Sequence, residues 1–299
     1  MLQVRRLGHV TFETPDVQRQ ADYYGEVVGL QVRRDGKRAI LSSALGEETM
    51  IFEPGSAARC TKIALQVAPE TDLSQVNAAM REHGIKTEKR SDISPGLSSA
   101  MAFTDPKGTE IELFTDARLM ENHAVGGVGP PKLGHVAFLV PDAKAVSEFY
   151  VKALGFRVSD WIEDYFAFLR CGPDHHTMNF ITGVGTFMHH YAFQLQDWGH
   201  LQKACDVLAK NKRALIWGPG RHGVGHNVFV YHRDPDDHII EFFAEMDQMN
   251  DESLGFFEPR PWHSDHPQRP KVWERKFAAM TWGPPPTADF LRNQSRTAH

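Results

Sequence analysis

"RLGHVTFETPD" (Arg6–Asp16) returns later in the chain as "KLGHVAFLVPD" (Lys132–Asp142). Each copy reads as a strand with one buried face and ends on an aspartate placed to cap a helix. Helical spacing follows in both: Val17, Ala21, Tyr24 and Val28 before Gly29, and Val146, Phe149, Tyr150, Ala153 and Leu154 before Gly155. Further on, "FTDPKGTEIELF" (Phe103–Phe114) is mirrored by "YHRDPDDHIIEFF" (Tyr231–Phe243). The two halves are copies of one design.

Each half divides again. "TKIALQV" (Thr61–Val67) and "HHYAFQL" (His189–Leu195) also read as opening strands. Amphipathic runs follow them, with Leu73, Val76 and Met80 in one and Leu201, Ala204, Cys205 and Leu208 in the other. Four units of one strand, one helix and several strands result, at Leu7–Pro54, Thr61–Thr115, Lys132–Thr182 and His189–Glu245. So short a unit cannot bury its own sheet face, so two units pair into one curved sheet with a concave inner face. The expected domains are residues 1–118 and 132–247, with a linker at 119–131 that contains the Gly- and Pro-rich "ENHAVGGVGPP" (Glu121–Pro131) and a C-terminal arm at 248–299.

The opening strands align as His9-Val-Thr-Phe, Lys62-Ile-Ala-Leu, His135-Val-Ala-Phe and His190-Tyr-Ala-Phe. His190, not His189, is in register with His9 and His135. Alternation along a strand gives His190 a face with Ala192 and His135 a face with Ala137, and each small neighbour leaves room for an imidazole. His189 goes with Tyr191, Phe193 and Leu195 and is expected to be structural. Glu241, in "HIIEFF", is a carboxylate among apolar residues, costly to bury without a partner or a metal. Two histidines and one carboxylate form the facial triad that leaves metal positions open. A single such histidine is more often a satisfied core residue, and a lone glutamate an ion-pair partner. Three coincident positions under one repeat weigh toward the metal. The first half offers His9 and Glu112, but Lys62 replaces the middle histidine, and an ammonium is a poor ligand. That half is expected to be metal-free.

A net charge of −5 gives no sign of a nucleic-acid or anionic-membrane partner. No apolar run is long enough for a membrane span. "MLQVRRLGHV" has no signal-peptide core, and Cys60, Cys171 and Cys205 are too scattered for a disulfide framework or zinc site. A cytoplasmic protein is the simplest expectation.

"LGHVAF", the "HHT" ahead of "MHHYAF", "GPGRHGVGHNVFVYHRDPD" and "IIEFF" carry a family resemblance across Leu7 to Glu245. The chain resembles the two-domain type I extradiol ring-cleaving dioxygenases (catechol 2,3-dioxygenases) of the vicinal oxygen chelate superfamily. The resemblance implies an α+β fold of two tandem vicinal-oxygen-chelate domains, each of two paired βαβββ modules in a curved, barrel-like mixed sheet. It implies Fe(II), or else Mn(II), held by His135, His190 and Glu241. It implies an aromatic diol and O2 as substrates, a muconic semialdehyde as product, and a homo-oligomer, with a tetramer favoured. It assigns acid–base work to His176, with His175 idle beside it, a substrate hydrogen bond to Tyr231, and a place in the pocket to His222. The plainer readings are a core tyrosine and a loop histidine that caps a turn. "HHTMNF" reads as a strand, so His176, Met178 and Phe180 are expected on one face and His175, Thr177 and Asn179 on the other.

Departures from the family pattern bear on the substrate. Relatives acting on catechols with an acidic side arm carry arginine where Trp217 stands, and an indole cannot clamp a carboxylate. An uncharged, alkyl- or aryl-substituted catechol is therefore expected. Phe168 stands where those relatives have a ring-packing tryptophan, and His226 is unusual against the same pattern; with Trp217 they make up the expected substrate contacts. Two other classes compete. A glyoxalase-like isomerase or epimerase needs a second carboxylate, where this chain has Asn179. A small-aromatic binding protein has no need of His135, His190, Glu241, His176 and Tyr231 together.

In the arm, prolines recur too often in "FFEPRPWHSDHPQRPKVW" (Phe256–Trp273) for a helix. Phe256, Phe257, Trp262, Trp273 and Trp282 are costly to leave in water, so the arm is expected to dock on the second domain, over the pocket mouth or in a subunit contact. Arg260, Arg269 and His263 are its candidates for substrate contacts. "RNQSRTAH" reads as a frayed end.

Overall fold

The computed structural model describes residues 2–121 and 126–292, so part of the linker and nearly all of "RNQSRTAH" lie outside the described residues. Two compact units emerge. One contains residues 2–121, 126–133, 152–155 and 234–238; the other contains residues 134–151, 156–233 and 239–292.

The first half runs β1 (Val4–Thr14), α1 (Val17–Tyr23), β2 (Gln31–Asp35), β3 (Arg38–Ser42) and β4 (Glu48–Pro54). It continues with β5 (Arg59–Val67), α2 (Leu73–Arg81), β6 (Glu88–Ser94), β7 (Leu97–Thr104) and β8 (Glu110–Phe114). The second half repeats this as β9 (Lys132–Val140), α3 (Ala143–Leu154), β10 (Arg157–Ile162), β11 (Phe166–Arg170) and β12 (Met178–Thr182). Its last unit is β13 (Phe187–Gln194), α4 (Trp198–Lys210), β14 (Trp217–Arg221), β15 (Val228–Arg233) and β16 (Ile239–Ala244). All four units are βαβββ. Each of these helices begins at an aspartate, with Asp16, Asp72, Asp142 and Asp197 accepting from Arg19, Ser74, Ala145 and His200 N–H groups. One departure from simple helical spacing is a π-helical turn at Tyr24–Val28, closed by Gly29 at φ +81°.

In every unit the last strand returns parallel to the first: β1 with β4, β5 with β8, β9 with β12, and β13 with β16. Two units then join through their opening strands. The sheet orders are β2-β3-β4-β1-β5-β8-β7-β6 and β14-β15-β16-β13-β9-β12-β11-β10-β17, where β17 (Lys271–Trp273) comes from the arm. This puts β9, β13 and β16, which carry His135, His190 and Glu241, side by side at the centre of the second sheet.

Register fixes which side chains share a face. One ladder row runs Trp217–Tyr231–Glu241–Ala192 across β14, β15, β16 and β13. The other runs Ala137–Asn179–Phe168–Asp160 across β9, β12, β11 and β10. Paired residues point to the same side of a sheet. Trp217 and Phe168, far apart along the strand order, line one cavity, so the sheet curves around it. The opposite face packs under helices, as Tyr150 of α3 does against Phe156 and Phe180.

The glycine of the repeated "LGH" has a steric cause. A Cβ on Gly134 would lie 2.4 Å from Phe243 Cζ, and one on Gly8 would lie 2.6 Å from Phe114 Cε1. The Phe243 ring also packs on His135, with centroids 4.9 Å apart. Gly134→Ala is therefore expected to cost about 2 kcal/mol by overpacking, measured by denaturant unfolding. A change within 0.5 kcal/mol, the usual range for unconstrained sites, would contradict it.

The arm docks on the second unit, with β17 parallel to β10 and a bridge between Arg221 and Trp282. Phe257 is buried, Trp262 lies under Arg221 at 4.0 Å, and Trp282 keeps 43% of its surface exposed. No helix forms between 256 and 270; α5 (Arg275–Ala278) and α6 (Ala288–Arg292) follow. Among the described residues, no helix is long and apolar enough to cross a membrane.

Candidate metal centre and its cavity

Three donor atoms converge on the inner face of the second sheet. His135 Nε2 is 3.0 Å from Glu241 Oε2 and 3.3 Å from His190 Nε2, and His190 Nε2 is 3.4 Å from Glu241 Oε2. All three residues are buried. Ligands ~2.1 Å from one metal and at right angles to each other stand ~3.0 Å apart, so the spacing fits adjacent corners of an octahedron. Burial, then the imidazoles of His189, His135 and His222, hold His190 well below the usual histidine range, so it offers a lone pair. Burial raises the Glu241 carboxyl, but His135, His222 and the Tyr231 hydroxyl outweigh it and keep the group ionised. The donor set therefore fits a divalent cation.

Neighbouring groups fix the ligands. Tyr231 Oη donates to Glu241 Oε2 at 2.8 Å, and Asn227 Nδ2 donates to Oε1 at 2.8 Å. His190 Nδ1 lies 2.7 Å from His189 Nδ1. With His190 Nε2 turned to a metal, its Nδ1 carries the proton and His189 accepts it. His189 was expected to be purely structural; it is buried against Phe290 but also lines the cavity.

The cavity has a volume of about 520 Å³. His176, His222 and Tyr231 line it beside the three donors, and Phe168 and Trp217 form walls. Phe168 stands edge-on to His176 with centroids 5.3 Å apart. Trp217 stacks over Tyr231, and its Nε1–H is taken by the Pro284 carbonyl at 3.0 Å. His222 donates Nδ1–H to the Ala279 carbonyl at 2.7 Å, which leaves its Nε2 lone pair 3.0 Å from Tyr231 Oη. Burial, then neighbouring imidazoles beginning with His135, hold His176 well below the usual range, and burial and Glu241 hold Tyr231 well above it. Both groups are neutral near pH 7.

Several placements differ from expectation. His226 is not in this cavity; its Nδ1 bonds Asp247 Oδ2 at 2.7 Å, and Asp247 Oδ1 accepts from His263 Nε2 at 2.7 Å. His226 adopts φ +51°, which turns the chain and gives the next residue, Asn227, the contact with Glu241. His176 does not share a face with Met178 and Phe180. The strand begins only at Met178, and Asn179 and Ile181 line the cavity with His176. His175, expected to stand idle, has its Nδ1 3.0 Å from His176 Nδ1. Of the arm, Arg275, Ala278, Ala279, Pro286, Phe290 and Leu291 reach the cavity, whereas Arg260, Arg269 and His263 do not.

The matching place in the first unit is different. His9 Nε2 is 3.7 Å from Glu112 Oε2, and Lys62 bonds Glu53 instead. Burial, then Lys62 and Arg38, lower His9 to about 3, and burial raises Glu112 to about 7.

A model of the Glyoxalase/Bleomycin resistance protein/Dioxygenase superfamily matches residues 6–113 and 132–242. The chain is 24% identical to the manganese-dependent 2,3-dihydroxybiphenyl 1,2-dioxygenase of Geobacillus genomosp. 3, over 91% of this chain and 94% of that protein. Among solved structures, the Mn(II)-bound glyoxalase from Novosphingobium aromaticivorans superposes with TM-score 0.82 at 22% identity, covering 97% of this chain and 94% of that one. A variant of homoprotocatechuate 2,3-dioxygenase from B. fuscum superposes with TM-score 0.83 at 24% identity, covering 100% and 84%. At these identities the superpositions establish the two-domain fold.

Proposed function

The chain belongs to the Glyoxalase/Bleomycin resistance protein/Dioxygenase superfamily, and from that premise we propose that it is an extradiol dioxygenase, opening an aromatic diol with O2 at a metal held by His135, His190 and Glu241. The observation that carries this reading is the convergence of three protein donors on one point, with the remaining sides facing a cavity lined by His176, His222 and Tyr231. Fe(II) is the proposed metal, and Mn(II) fits the same donors. Once bound, the metal supplies Lewis acidity toward the diol and a path for electrons from the ring to O2.

The chain's own residues handle protons and position the ring. His176 takes a proton from a diol hydroxyl, since its ring is neutral and faces the cavity. Tyr231 has one hydroxyl proton and two acceptors, Glu241 Oε2 and His222 Nε2. It can thus turn its proton toward His222 while its oxygen meets the substrate. Ile162, Phe166, Phe168, Val224 and Trp217 give the ring an apolar enclosure. An isomerase of the same superfamily would place a fourth, carboxylate ligand on β12, and the β12 residues that line the cavity, Asn179, Ile181 and Thr182, include no carboxylate.

The test is a panel of catechols offered in air to protein loaded anaerobically with Fe(II), following oxygen uptake and yellow product together. Stoichiometric uptake is expected, with kcat/KM at least about 10-fold higher for alkyl- or aryl-catechols than for carboxylated ones, because no guanidinium stands at Trp217. The reverse order would make Arg275, on the cavity wall against Tyr165, the clamp for an acidic arm. No uptake by metal-loaded protein across the panel would overturn the dioxygenase reading.

A further inference from the structure

Behind His176 runs a buried chain of hydrogen bonds that leads away from the metal ligands. Asp160 Oδ1 accepts from the Lys271 backbone N–H at 2.7 Å, and Oδ2 accepts from Trp273 Nε1 at 2.8 Å. These donors have no lone pairs, so Asp160 acts here as an acceptor. His175 Nε2 lies 2.9 Å from the same Oδ2, and His175 Nδ1 lies 3.0 Å from His176 Nδ1. Asp160, His175 and His176 are 1%, 0% and 4% exposed, so water cannot substitute for a missing partner.

The order of the chain determines where each proton sits. A carboxylate only accepts, so His175 donates from Nε2. In the neutral ring, its Nδ1 then carries a lone pair and accepts from His176. That places the His176 proton on Nδ1 and leaves the Nε2 lone pair for the cavity, which His176 lines. The pair is held from several sides. His175 N–H donates to the Asp247 carbonyl at 2.8 Å, and Phe257 packs on its ring with centroids 4.9 Å apart. A Cβ on Gly225, at φ +73°, would sit 3.1 Å from His175 Nδ1 and 3.3 Å from His176 Cε1.

We propose that Asp160 and His175 are positioning residues that fix the proton of His176 on Nδ1 and present its Nε2 to the diol as a proton acceptor. The inference rests on the reading of His176 as the base that takes the diol proton. It also gives the arm a purpose, because Lys271 and Trp273 of β17 anchor the carboxylate at the head of the chain. The proton taken from the diol stays on His176 Nε2; the resulting cation keeps its Nδ1–H bond to His175, whose Nε2–H remains on Asp160.

Asp160→Asn reverses the order. It does so in a Trp273→Phe background, where no indole N–H meets the new NH2: the amide oxygen stays on Lys271 N–H, the NH2 faces His175, and His175 accepts at Nε2 and donates from Nδ1. His176 must then carry its proton on Nε2, where it cannot accept another. Long-range 1H–15N spectra of the histidine rings in the full chain, loaded with closed-shell Zn(II), read this directly. The wild type is expected to show His176 protonated at Nδ1 and His175 at Nε2, with both reversed in the Asp160→Asn, Trp273→Phe double variant. In the Fe(II) protein, kcat is expected to fall about 100-fold with KM and metal stoichiometry unchanged. Trp273→Phe, which removes only the indole bond, should leave both tautomers as in the wild type. If the double variant does not fold, His175→Phe keeps a ring beside Phe257 and should give the same loss in kcat. A wild-type His176 protonated at Nε2, or unchanged kcat in the folded double variant or in His175→Phe, would overturn the proposal. A wild type with the expected tautomers that opens no diol would instead overturn the dioxygenase reading alone.

Discussion

Glu241→Ala is expected to bring metal content from one per chain to near none, and ring-opening activity with it. Loss of residues that merely support a ligand weakens metal binding about 10–100-fold, so loss of a ligand should exceed 100-fold. The change reaches beyond the metal. Glu241 is the shared acceptor of Tyr231 Oη and Asn227 Nδ2 and the counter-charge beside His135 and His190. Its removal leaves two imidazole nitrogens 3.3 Å apart with no anion between them. Glu112→Ala, the matching change in the first unit, should leave metal content unchanged, because Lys62 stands where the third donor would be. Metal analysis after gel filtration separates the two. Equal metal content in Glu241→Ala and wild type would refute the assignment.

His176→Phe is expected to lower kcat by about 10²–10⁴-fold while metal stays bound. Phenylalanine keeps the ring contacts to His135 and Phe168, at centroid distances of 4.3 and 5.3 Å, so the cavity wall survives and the proton acceptor does not. Anaerobic titration with a diol should still show saturable binding, with the bound diol retaining a proton that the wild type removes. A variant with wild-type kcat would transfer the acid–base role elsewhere, with His222 the nearest candidate because its Nε2 lone pair meets Tyr231.

The parts of this arrangement that follow a period were legible in the sequence. His135 and His190 sit at equivalent positions of opening strands, and such strands meet at the centre of the sheet. Strand alternation carried the reading to Ala137 and Ala192, and burial of a carboxylate among apolar residues carried it to Glu241; Tyr231, Trp217 and Phe168 entered through the family resemblance of their motifs, and the ladder rows show that they share the inner face. Alternation failed where the chain leaves strand geometry. His175 and His176 precede β12 in irregular structure, so their two-residue pattern did not continue to Met178. At His226 the left-handed backbone passed the useful contact to Asn227. Contacts with the arm follow no period at all. Nothing local links Asp160 to Trp273, or His222 to the Ala279 carbonyl. The aromatic content of the arm showed that it docks, and only the structure shows that Arg275, not Arg260 or Arg269, reaches the cavity.

The most direct test of the central claim is anomalous diffraction at the iron edge from crystals loaded anaerobically with Fe(II). The expected result is one peak per chain, close to His135 Nε2, His190 Nε2 and Glu241 Oε2 alike, and none at His9 and Glu112. Among the described residues, His226, Asp247 and His263 form the other group with metal-ligating spacing, but their short hydrogen bonds to separate oxygens already use the facing nitrogens. A peak there, with none at the triad, would contradict the account.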